Sequence, residues 1–152
     1  MSYIVHDPID LGRLAARVAA PDRGAISTFL GTVRAGPDDG PVVRIEYSAY
    51  ESMLEDEFAR IVAETEERWP GVAVAAVHRL GAVPLGEASI GIAVGAARRV
   101  AALDACRHVI EEAKRRLPVW KREVLADGSA RWRDNAGGRE PAAPPPGRGP
   151  VA

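Results

Sequence analysis

The stretch VAALDACRHVIEEAKRRLPVWKRE, residues 100–123, decides the fold class, because a helical pattern and a strand pattern meet inside it. Its first part has apolar residues at intervals of three and four: Leu103, Cys106, Ile110, Ala113 and Leu117. This spacing predicts a helix over residues 100–117 that buries these side chains. Pro118 ends the helix because proline cannot continue the hydrogen-bond ladder. Beyond it, Val119, Lys121 and Glu123 alternate to one face, as expected of a strand.

The rest of the chain repeats both patterns and predicts an α+β domain. Two more helices are expected, over residues 10–19 with Asp10 as the N-cap and over residues 51–69. Strands are expected at residues 3–6, 24–34, 42–50, 72–80, 88–96, 119–125 and 130–133, the last two joined as a hairpin across Asp127-Gly128. This order predicts a mostly antiparallel sheet with helices packed on one side, in a single domain over residues 1–135. In residues 136–152, nine of 17 residues are Gly or Pro, which predicts a disordered tail.

The composition excludes several classes of protein. A formal net charge of -1 gives no support for nucleic acid or a membrane surface as a partner. The single cysteine, Cys106, rules out an internal disulfide and any multi-cysteine metal site. No apolar run reaches membrane-spanning length, and the N-terminal residues lack the apolar core of a signal peptide. We therefore expect a cytoplasmic globular protein.

Positive charge is concentrated near the end of the predicted domain. Residues 98–122 carry eight basic and three acidic side chains, whereas residues 1–97 carry eight basic and 14 acidic ones. A basic zone in a nearly neutral protein favours a site for an anionic ligand. Arg98 and Arg99 lie at the start of the helix, where guanidinium groups and free backbone N–H groups suit a phosphate or carboxylate. Arg34 ends a strand just before the turn-rich segment 35–41, a common position for a substrate contact.

The chain has 18 arginines but only two lysines, Lys114 and Lys121, which stand on either side of Pro118. Lysine offers a compact amine that can lose its proton, which arginine cannot do near neutral pH. The reversal at Pro118 can bring both amines to one point, where nearby arginines disfavour the charged form. A structural interpretation stays open, in which Lys114 caps the helix C-terminus and Lys121 is a solvated strand residue. We interpret His78, on an apolar strand, as a partly buried structural histidine.

Several short motifs resemble one enzyme family. They are Phe29-Leu30-Gly31-Thr32-Val33-Arg34, Glu46-Tyr47-Ser48-Ala49-Tyr50 with Met53, His78-Arg79-Leu80-Gly81, Gly86-Glu87, and Pro118-Val119-Trp120-Lys121-Arg122-Glu123 with Gly128 and Trp132. In this order and spacing they resemble the large, catalytic subunit of molybdopterin synthase over residues 3–133. The resemblance implies a hammerhead-like α+β fold and a sulfurtransferase that converts cyclic pyranopterin monophosphate to the dithiolene of molybdopterin. It implies no cofactor and no metal.

The resemblance also implies partners and site residues. Sulfur would arrive as a thiocarboxylate on the C-terminal Gly-Gly of a small ubiquitin-like subunit, and two such subunits would flank a homodimer of this chain in a heterotetramer. Lys114 and Lys121 would be catalytic and would also contact the pterin. The other substrate-binding residues would be Thr32, Val33, Arg34, Arg98, Arg99, Arg122 and Glu123.

Arg98 departs from the family pattern, in which His-Arg commonly stands where this chain has Arg98-Arg99. Arginine can hold a phosphate but cannot act as a neutral base near pH 7, so we interpret Arg98 as an anion-binding replacement. Two alternatives to the catalytic interpretation remain. One is a non-catalytic domain that binds anions or RNA through residues 98–122, where Trp120 alone is available for base stacking. The other is an inactive paralogue that keeps the fold and the partner.

Overall fold

The computed structural model describes residues 1–36 and 40–133. This part of the chain contains the helices α1 (Leu11–Val18), α2 (Glu51–Arg68) and α3 (Arg99–Arg116). Its strands are β1 (Ile4–Val5), β2 (Ala25–Thr32), β3 (Val42–Ala49), β4 (Ala73–Arg79), β5 (Gly81–Pro84), β6 (Ala88–Ala96), β7 (Val119–Leu125) and β8 (Ala130–Arg133). The predicted α+β class is confirmed, and each helix and strand expected from the sequence is present. The predicted domain boundary at residue 135, the tail 136–152 and residues 37–39 of the segment 35–41 lie outside the described residues.

The strands form two four-stranded sheets instead of the one sheet predicted. Sheet A has the order β1-β4-β6-β2, in which β1 and β4 are parallel and the other pairs are antiparallel. Sheet B has the order β5-β3-β7-β8 and is antiparallel throughout. Strand β5 was not predicted, because Gly81 and Pro84 indicated a turn. They instead bound a short strand that pairs with β3 in the register Tyr47 to Gly81.

The helices cover both faces of sheet A, so the prediction that they pack on one side is wrong for α1. Helix α1 packs Leu14 and Val18 against one face, on which Ala93 lies. Helices α2 and α3 pack on the other face, where Ile92 belongs to the larger core together with Phe58. Neighbouring residues of β6 enter different cores because successive strand side chains point to opposite faces.

The ends of the helices follow the predicted local signals. The Asp10 carboxylate accepts a hydrogen bond from the backbone N–H of Arg13 at 3.1 Å and caps α1. Helix α3 ends at Arg116, and its C-cap Leu117 has extended backbone angles, as expected of a residue that precedes proline. The chain turns at Pro118 and continues as β7, which carries Lys121 back toward the end of α3.

The buried stripe predicted for α3 is wrong at one position. Leu103 is 58% exposed, although the other residues of the stripe are buried or half-buried. Ala102 and Ala105 face sheet A in its place. Small residues on this side let the helix lie close to β2 and β6, and Leu103 is left on the outer surface.

Candidate active site

A cleft lies between the end of β2, one face of sheet B and the last turn of α3. We call it the lysine cleft, and its lining residues are Gly31, Thr32, Val33, Arg34, Ile45, Tyr47, Ser89, Lys114, Lys121, Glu123 and Arg133. Four of these side chains are cationic and one is a carboxylate. The excess of positive charge suits an anionic ligand. Both lysines of the chain are present in this one cleft.

Sheet B supplies one wall by strand alternation. In β7, Lys121 lies opposite Tyr47 of β3 and Glu123 lies opposite Ile45, and all four line the cleft. The intervening Arg122 is directed to the other face of the sheet. The resemblance predicted that Arg122 binds substrate, but the structure places it outside the cleft.

On the outer face of sheet B, Arg122 forms an ion pair with Glu46 of β3. Its Nη2 donates a hydrogen bond to Oε2 of Glu46 at 2.5 Å, and its Nε donates to the same oxygen at 3.0 Å. Burial raises the pKa of Glu46, but the hydrogen bonds and charges of Arg122 and Arg44 outweigh burial and leave the pKa lowered. Arg122 therefore pairs β7 with β3 on the outer face of sheet B.

Glu123 is buried in the cleft wall and binds the arginines of β8. Its Oε2 accepts a hydrogen bond from Nε of Arg131 at 2.9 Å, and its Oε1 lies 3.2 Å from Nε of Arg133. These contacts hold Arg133 against the cleft. Glu123 therefore contributes to the site by fixing a cation as well as by its own charge.

Lys114 reaches the cleft from the last turn of α3. Burial lowers the pKa of Lys114, and the positive charge of Lys121 lowers it further. An amine with a lowered pKa gives up and recovers a proton more easily near neutral pH. The sequence-based hypothesis that both amines approach one point agrees with this geometry, and their catalytic role stays a prediction.

A β-bulge forms the floor of the cleft. Gly31 of β2 pairs with Ile90 of β6, and Thr32 pairs with Ala88, so Ser89 is an extra residue in β6. The Ser89 hydroxyl donates a hydrogen bond to the carbonyl oxygen of Gly31 at 3.3 Å. Position 31 requires glycine, because a Cβ there would lie 2.6 Å from Cγ2 of Ile90. The bulge therefore fixes where β2 ends and where Thr32 enters the cleft.

Behind the floor lies a buried pair of rings. Burial raises the pKa of Tyr47, a hydrogen bond with Ser89 opposes this, and the charge of Glu123 raises the pKa further. The phenol is therefore neutral at physiological pH. The ring of His78 meets that of Tyr47 edge-on, with 5.2 Å between the centroids. His78 is 1% exposed, which is deeper than the partial burial predicted.

Two predicted site residues, Arg98 and Arg99, lie at the opposite end of α3. Arg98 is the N-cap of the helix and lines a separate surface depression together with Asp22 and Arg23. With a rise of 1.5 Å per residue, Arg98 is about 24 Å along the helix from Lys114. Within one chain, the structure therefore does not bring these arginines to the lysine cleft.

Some lining residues were not predicted from the sequence: Gly31, Ile45, Tyr47, Ser89 and Arg133. Alternation in β3 and the hairpin register, in which Arg133 lies opposite Lys121, were signals that could have identified three of them. The sequence carries no comparable signal for Ser89, because its position depends on the bulge.

The described residues contain neither a cluster of metal ligands nor a helix that could span a membrane. Within residues 1–36 and 40–133, no three or more His, Cys, Asp or Glu side chains are grouped to hold a metal ion. None of the helices described in this range is long and apolar enough to cross a membrane.

Comparison with known proteins assigns the family. The family model described as MoaE protein matches residues 4–116. The chain belongs to the MoaE family. A molybdopterin synthase catalytic subunit from Bacillus subtilis is 42% identical to this MoaE protein over 125 residues, which make up 82% of this chain and 80% of the relative.

Solved structures agree with this assignment. The crystal structure of molybdopterin synthase from Staphylococcus aureus matches with a TM-score of 0.83 at 32% identity, over 87% of this chain and 96% of that chain. A complex of subunits 1 and 2 of the molybdopterin-converting factor from Helicobacter pylori shares the fold, with a TM-score of 0.67 at 24% identity over 82% of this chain and 84% of that chain.

This MoaE protein is therefore an enzyme, the catalytic subunit of molybdopterin synthase, and acts in molybdenum cofactor biosynthesis. The resemblance found in the sequence motifs is confirmed for the family, the fold and the enzyme.

Proposed function

We propose that the lysine cleft is where sulfur passes from a thiocarboxylate to cyclic pyranopterin monophosphate. The observation that carries the proposal is that Lys114 and Lys121 line one cleft together with Arg34. Both reactants are anions, a phosphorylated pterin and a thiocarboxylate. A cleft with four cationic side chains and one carboxylate attracts both.

Arg34 is the residue we assign to the phosphate. It lies exposed at the rim of the cleft, two residues after the end of β2. A planar guanidinium group can donate two parallel hydrogen bonds to phosphate oxygens, which fixes orientation as well as charge. Thr32 and Val33 form the wall beside it.

Lys114 is the residue we assign to proton transfer. Attack by the thiocarboxylate sulfur forms a C–S bond to a carbon of the pterin and breaks a C–O bond at that carbon, whose electron pair leaves on the oxygen. The product is a thioester, and water then cleaves its acyl–sulfur bond and returns a carboxylate to the carrier. Negative charge develops on the carbonyl oxygen during that cleavage, where an ammonium group can stabilise it and donate a proton. The lowered pKa of Lys114 favours the donation, and Lys121 contributes a second cation.

Arg98 and Arg99 enter this proposal only through a second copy of the chain, because about 24 Å of helix separates Arg98 from Lys114. In a homodimer, the start of α3 in one protomer would approach the lysine cleft of its partner and add two guanidinium groups to the phosphate site. Arg98 in the place of histidine is then adequate, since the position needs a cation and no neutral base.

Exposed apolar residues support a homodimer. Ile26 and Leu30 are exposed on β2, which is an edge strand of sheet A. Val100 and Leu103 are exposed on the first turns of α3. Ile26 and Leu30 lie on the α1 face of sheet A, and Val100 and Leu103 lie on the helix that packs on the other face. An edge strand that exposes apolar side chains, with a second exposed apolar pair on α3, is suited to pair with another chain.

The proposed sulfur donor is a small ubiquitin-like subunit with a C-terminal Gly-Gly thiocarboxylate. A tail without side chains can enter a narrow cleft that larger residues could not. The Helicobacter pylori complex, which has the same fold, joins two different subunits. Two small subunits on one homodimer would give a heterotetramer.

An assay with purified components tests the proposal. The protein is mixed with the thiocarboxylated small subunit and the pterin precursor, and molybdopterin is measured. We expect turnover by the unaltered chain and a loss of about 100-fold or more in Lys114→Ala. Arg115→Ala is the matched control, because Arg115 is the next residue of α3 and forms an exposed ion pair with Glu112.

Three outcomes would overturn the assignment. Full product from Lys114→Ala would remove Lys114 from the chemistry. No product from the unaltered chain would favour an inactive paralogue. Tight, salt-dependent RNA binding without turnover would favour the non-catalytic alternative.

A further inference from the structure

Two sequence motifs, His78-Arg79-Leu80-Gly81 and Gly86-Glu87, contribute no residue to the lining of the lysine cleft, yet the structure joins them. Nη1 of Arg79 donates to Oε2 of Glu87 at 2.5 Å, and Nη2 donates to the carbonyl oxygen of Ala82 at 3.5 Å. The side chain of Arg79 is 9% exposed and that of Glu87 is 44% exposed. Arg79, the last residue of β4, therefore fixes the turn that connects β5 to β6.

The same turn is joined by backbone hydrogen bonds to Val33, the residue that follows β2. The backbone N–H of Val33 donates to the carbonyl oxygen of Glu87 at 2.9 Å, and the N–H of Gly86 donates to the carbonyl oxygen of Val33 at 2.7 Å. Gly86 has a φ of +85°, a conformation that favours glycine, so the turn has little freedom to take another shape. Val33 is buried and directly precedes Arg34.

We propose that the Arg79–Glu87 ion pair positions Arg34 over the lysine cleft. The guanidinium of Arg79 binds the carboxylate of Glu87, and the carbonyl oxygen of Glu87 accepts a hydrogen bond from the N–H of Val33. Val33 is followed directly by Arg34. The proposal rests on the proposed function, because it takes Arg34 to be the residue that binds the anionic substrate. Neither Arg79 nor Glu87 lines the cleft, so both are positioning residues.

The position of one arginine matters because catalysis depends on geometry. A displacement of about 1 Å at a substrate-binding group can cost two orders of magnitude in rate. Without the ion pair, the turn at residues 84–87 loses its attachment to β4, and the two hydrogen bonds to Val33 no longer fix one place for Arg34. The anion should then bind less tightly while the lysines keep their chemistry.

The chain contains a matched control for this ion pair. Arg116 and Glu64 lie 2.5 Å apart, with side chains that are 18% and 50% exposed. This pair joins α3 to α2 and does not line the cleft. Glu64→Gln therefore removes a carboxylate of similar exposure without touching the turn, and Arg116 keeps its ion pairs with Glu57 and Glu112. Any general effect of replacing a half-exposed, paired carboxylate appears in both variants.

The test compares Glu87→Gln with Glu64→Gln in two measurements. Amide hydrogen exchange at Val33 and Gly86, followed by NMR, should become about tenfold faster in Glu87→Gln alone. The KM for the pterin precursor should rise about fivefold in Glu87→Gln, with kcat changed by less than about twofold. In an Arg34→Ala background, Glu87→Gln should raise KM no further, because the two changes act through one contact.

A second variant keeps the test decisive if Glu87→Gln folds poorly. Arg79→Met with Glu87→Gln leaves no buried unpaired charge and should give the same pattern of exchange and KM. Unchanged exchange at Val33, or an unchanged KM in an active enzyme, overturns the proposal. A further rise in KM in the Arg34→Ala background overturns it as well. An inactive unaltered enzyme would refute the proposed function, while the exchange measurement would still decide whether the ion pair holds this segment.

Discussion

His78 gives the protein a specific sensitivity to acid. Its Nδ1 donates to the carbonyl oxygen of Arg79 at 2.9 Å, and its Nε2 is buried without a hydrogen-bond partner among the described residues. Protonation of Nε2 would therefore create a buried N–H group with no hydrogen-bond acceptor among the described residues. Burial lowers the pKa of His78 to about 4, with a further contribution from the charge of Lys114, although the hydrogen bond to the Arg79 carbonyl opposes the change.

The sign and size of the effect follow from this pKa. In the unfolded chain the imidazole has its ordinary pKa of 6.5, so between pH 6.5 and about 4 the unfolded chain binds more protons than the folded one. Stability is therefore complete above pH 6.5 and decreases as the pH falls through this interval. The full interval corresponds to about 3 kcal/mol of unfolding free energy, of which about 2 kcal/mol is lost by pH 5.

Urea unfolding at pH 7.5, 6.5, 5.5 and 5.0 measures this loss. His78→Gln serves as the comparison, because glutamine is polar and similar in size but does not titrate. We expect the unaltered chain to lose about 2 kcal/mol more than His78→Gln between pH 6.5 and 5.0. Carboxylates with lowered pKa values, such as Glu46 and Asp127, titrate below this range and are common to both proteins. Parallel pH dependences would refute the assignment of the acid sensitivity to His78.

Three further predictions concern the cleft and the dimer. Lys114→Arg should keep the circular dichroism spectrum of the folded protein but lose about 100-fold or more of molybdopterin synthesis, since arginine does not release a proton; activity within twofold would show that only charge is needed. Gly31→Ala should lower the unfolding free energy by about 1–3 kcal/mol in urea titrations, because the new Cβ would lie 2.6 Å from Cγ2 of Ile90, and an unchanged midpoint would contradict the bulge geometry. Leu103→Glu should convert the proposed dimer to a monomer in size-exclusion chromatography with light scattering, whereas Met53→Glu, at a residue of nearly equal exposure on α2, should not, and equal effects would place the interface elsewhere.

The local features of the fold were predictable because they depend on neighbours in the chain. Apolar spacing located the helices, Asp10 marked the start of α1, and Pro118 marked the turn that returns Lys121 toward Lys114. Each of these signals acts over one or two turns of backbone, where sequence pattern and geometry are directly linked.

The division into two sheets was not predictable in the same way. It depends on β3 pairing with β5 and β7, and alternation within a strand does not say which other strand lies beside it. Leu103 shows a related limit. Apolar spacing identifies a helix face but does not distinguish residues that face the core from residues that face solvent or another chain.

Arg122 is a residue for which the family resemblance and the strand pattern give different predictions. Alternation alone placed Lys121 and Glu123 on one face of β7 and left Arg122 on the other, and the structure agrees. The family resemblance added Arg122 to the site because it matches a position beside the second lysine. In a strand, adjacency in sequence means opposite faces of the sheet, so the alternation pattern predicted the face on which Arg122 lies, and its contact with substrate stays a prediction.

The alternation of β7 also limits which insertions and deletions the gene can tolerate. Removing one residue between Pro118 and Lys121 would shift β7 by one position and exchange the two faces of that strand. Arg122 would then enter the cleft in the place of Lys121, and Glu123 would turn to the outer face together with Arg131, its partner in the β7–β8 hairpin. The cleft would retain a positive charge at that position but lose one of its two amines. This segment should therefore accept substitutions at its outward positions far more readily than any change in length.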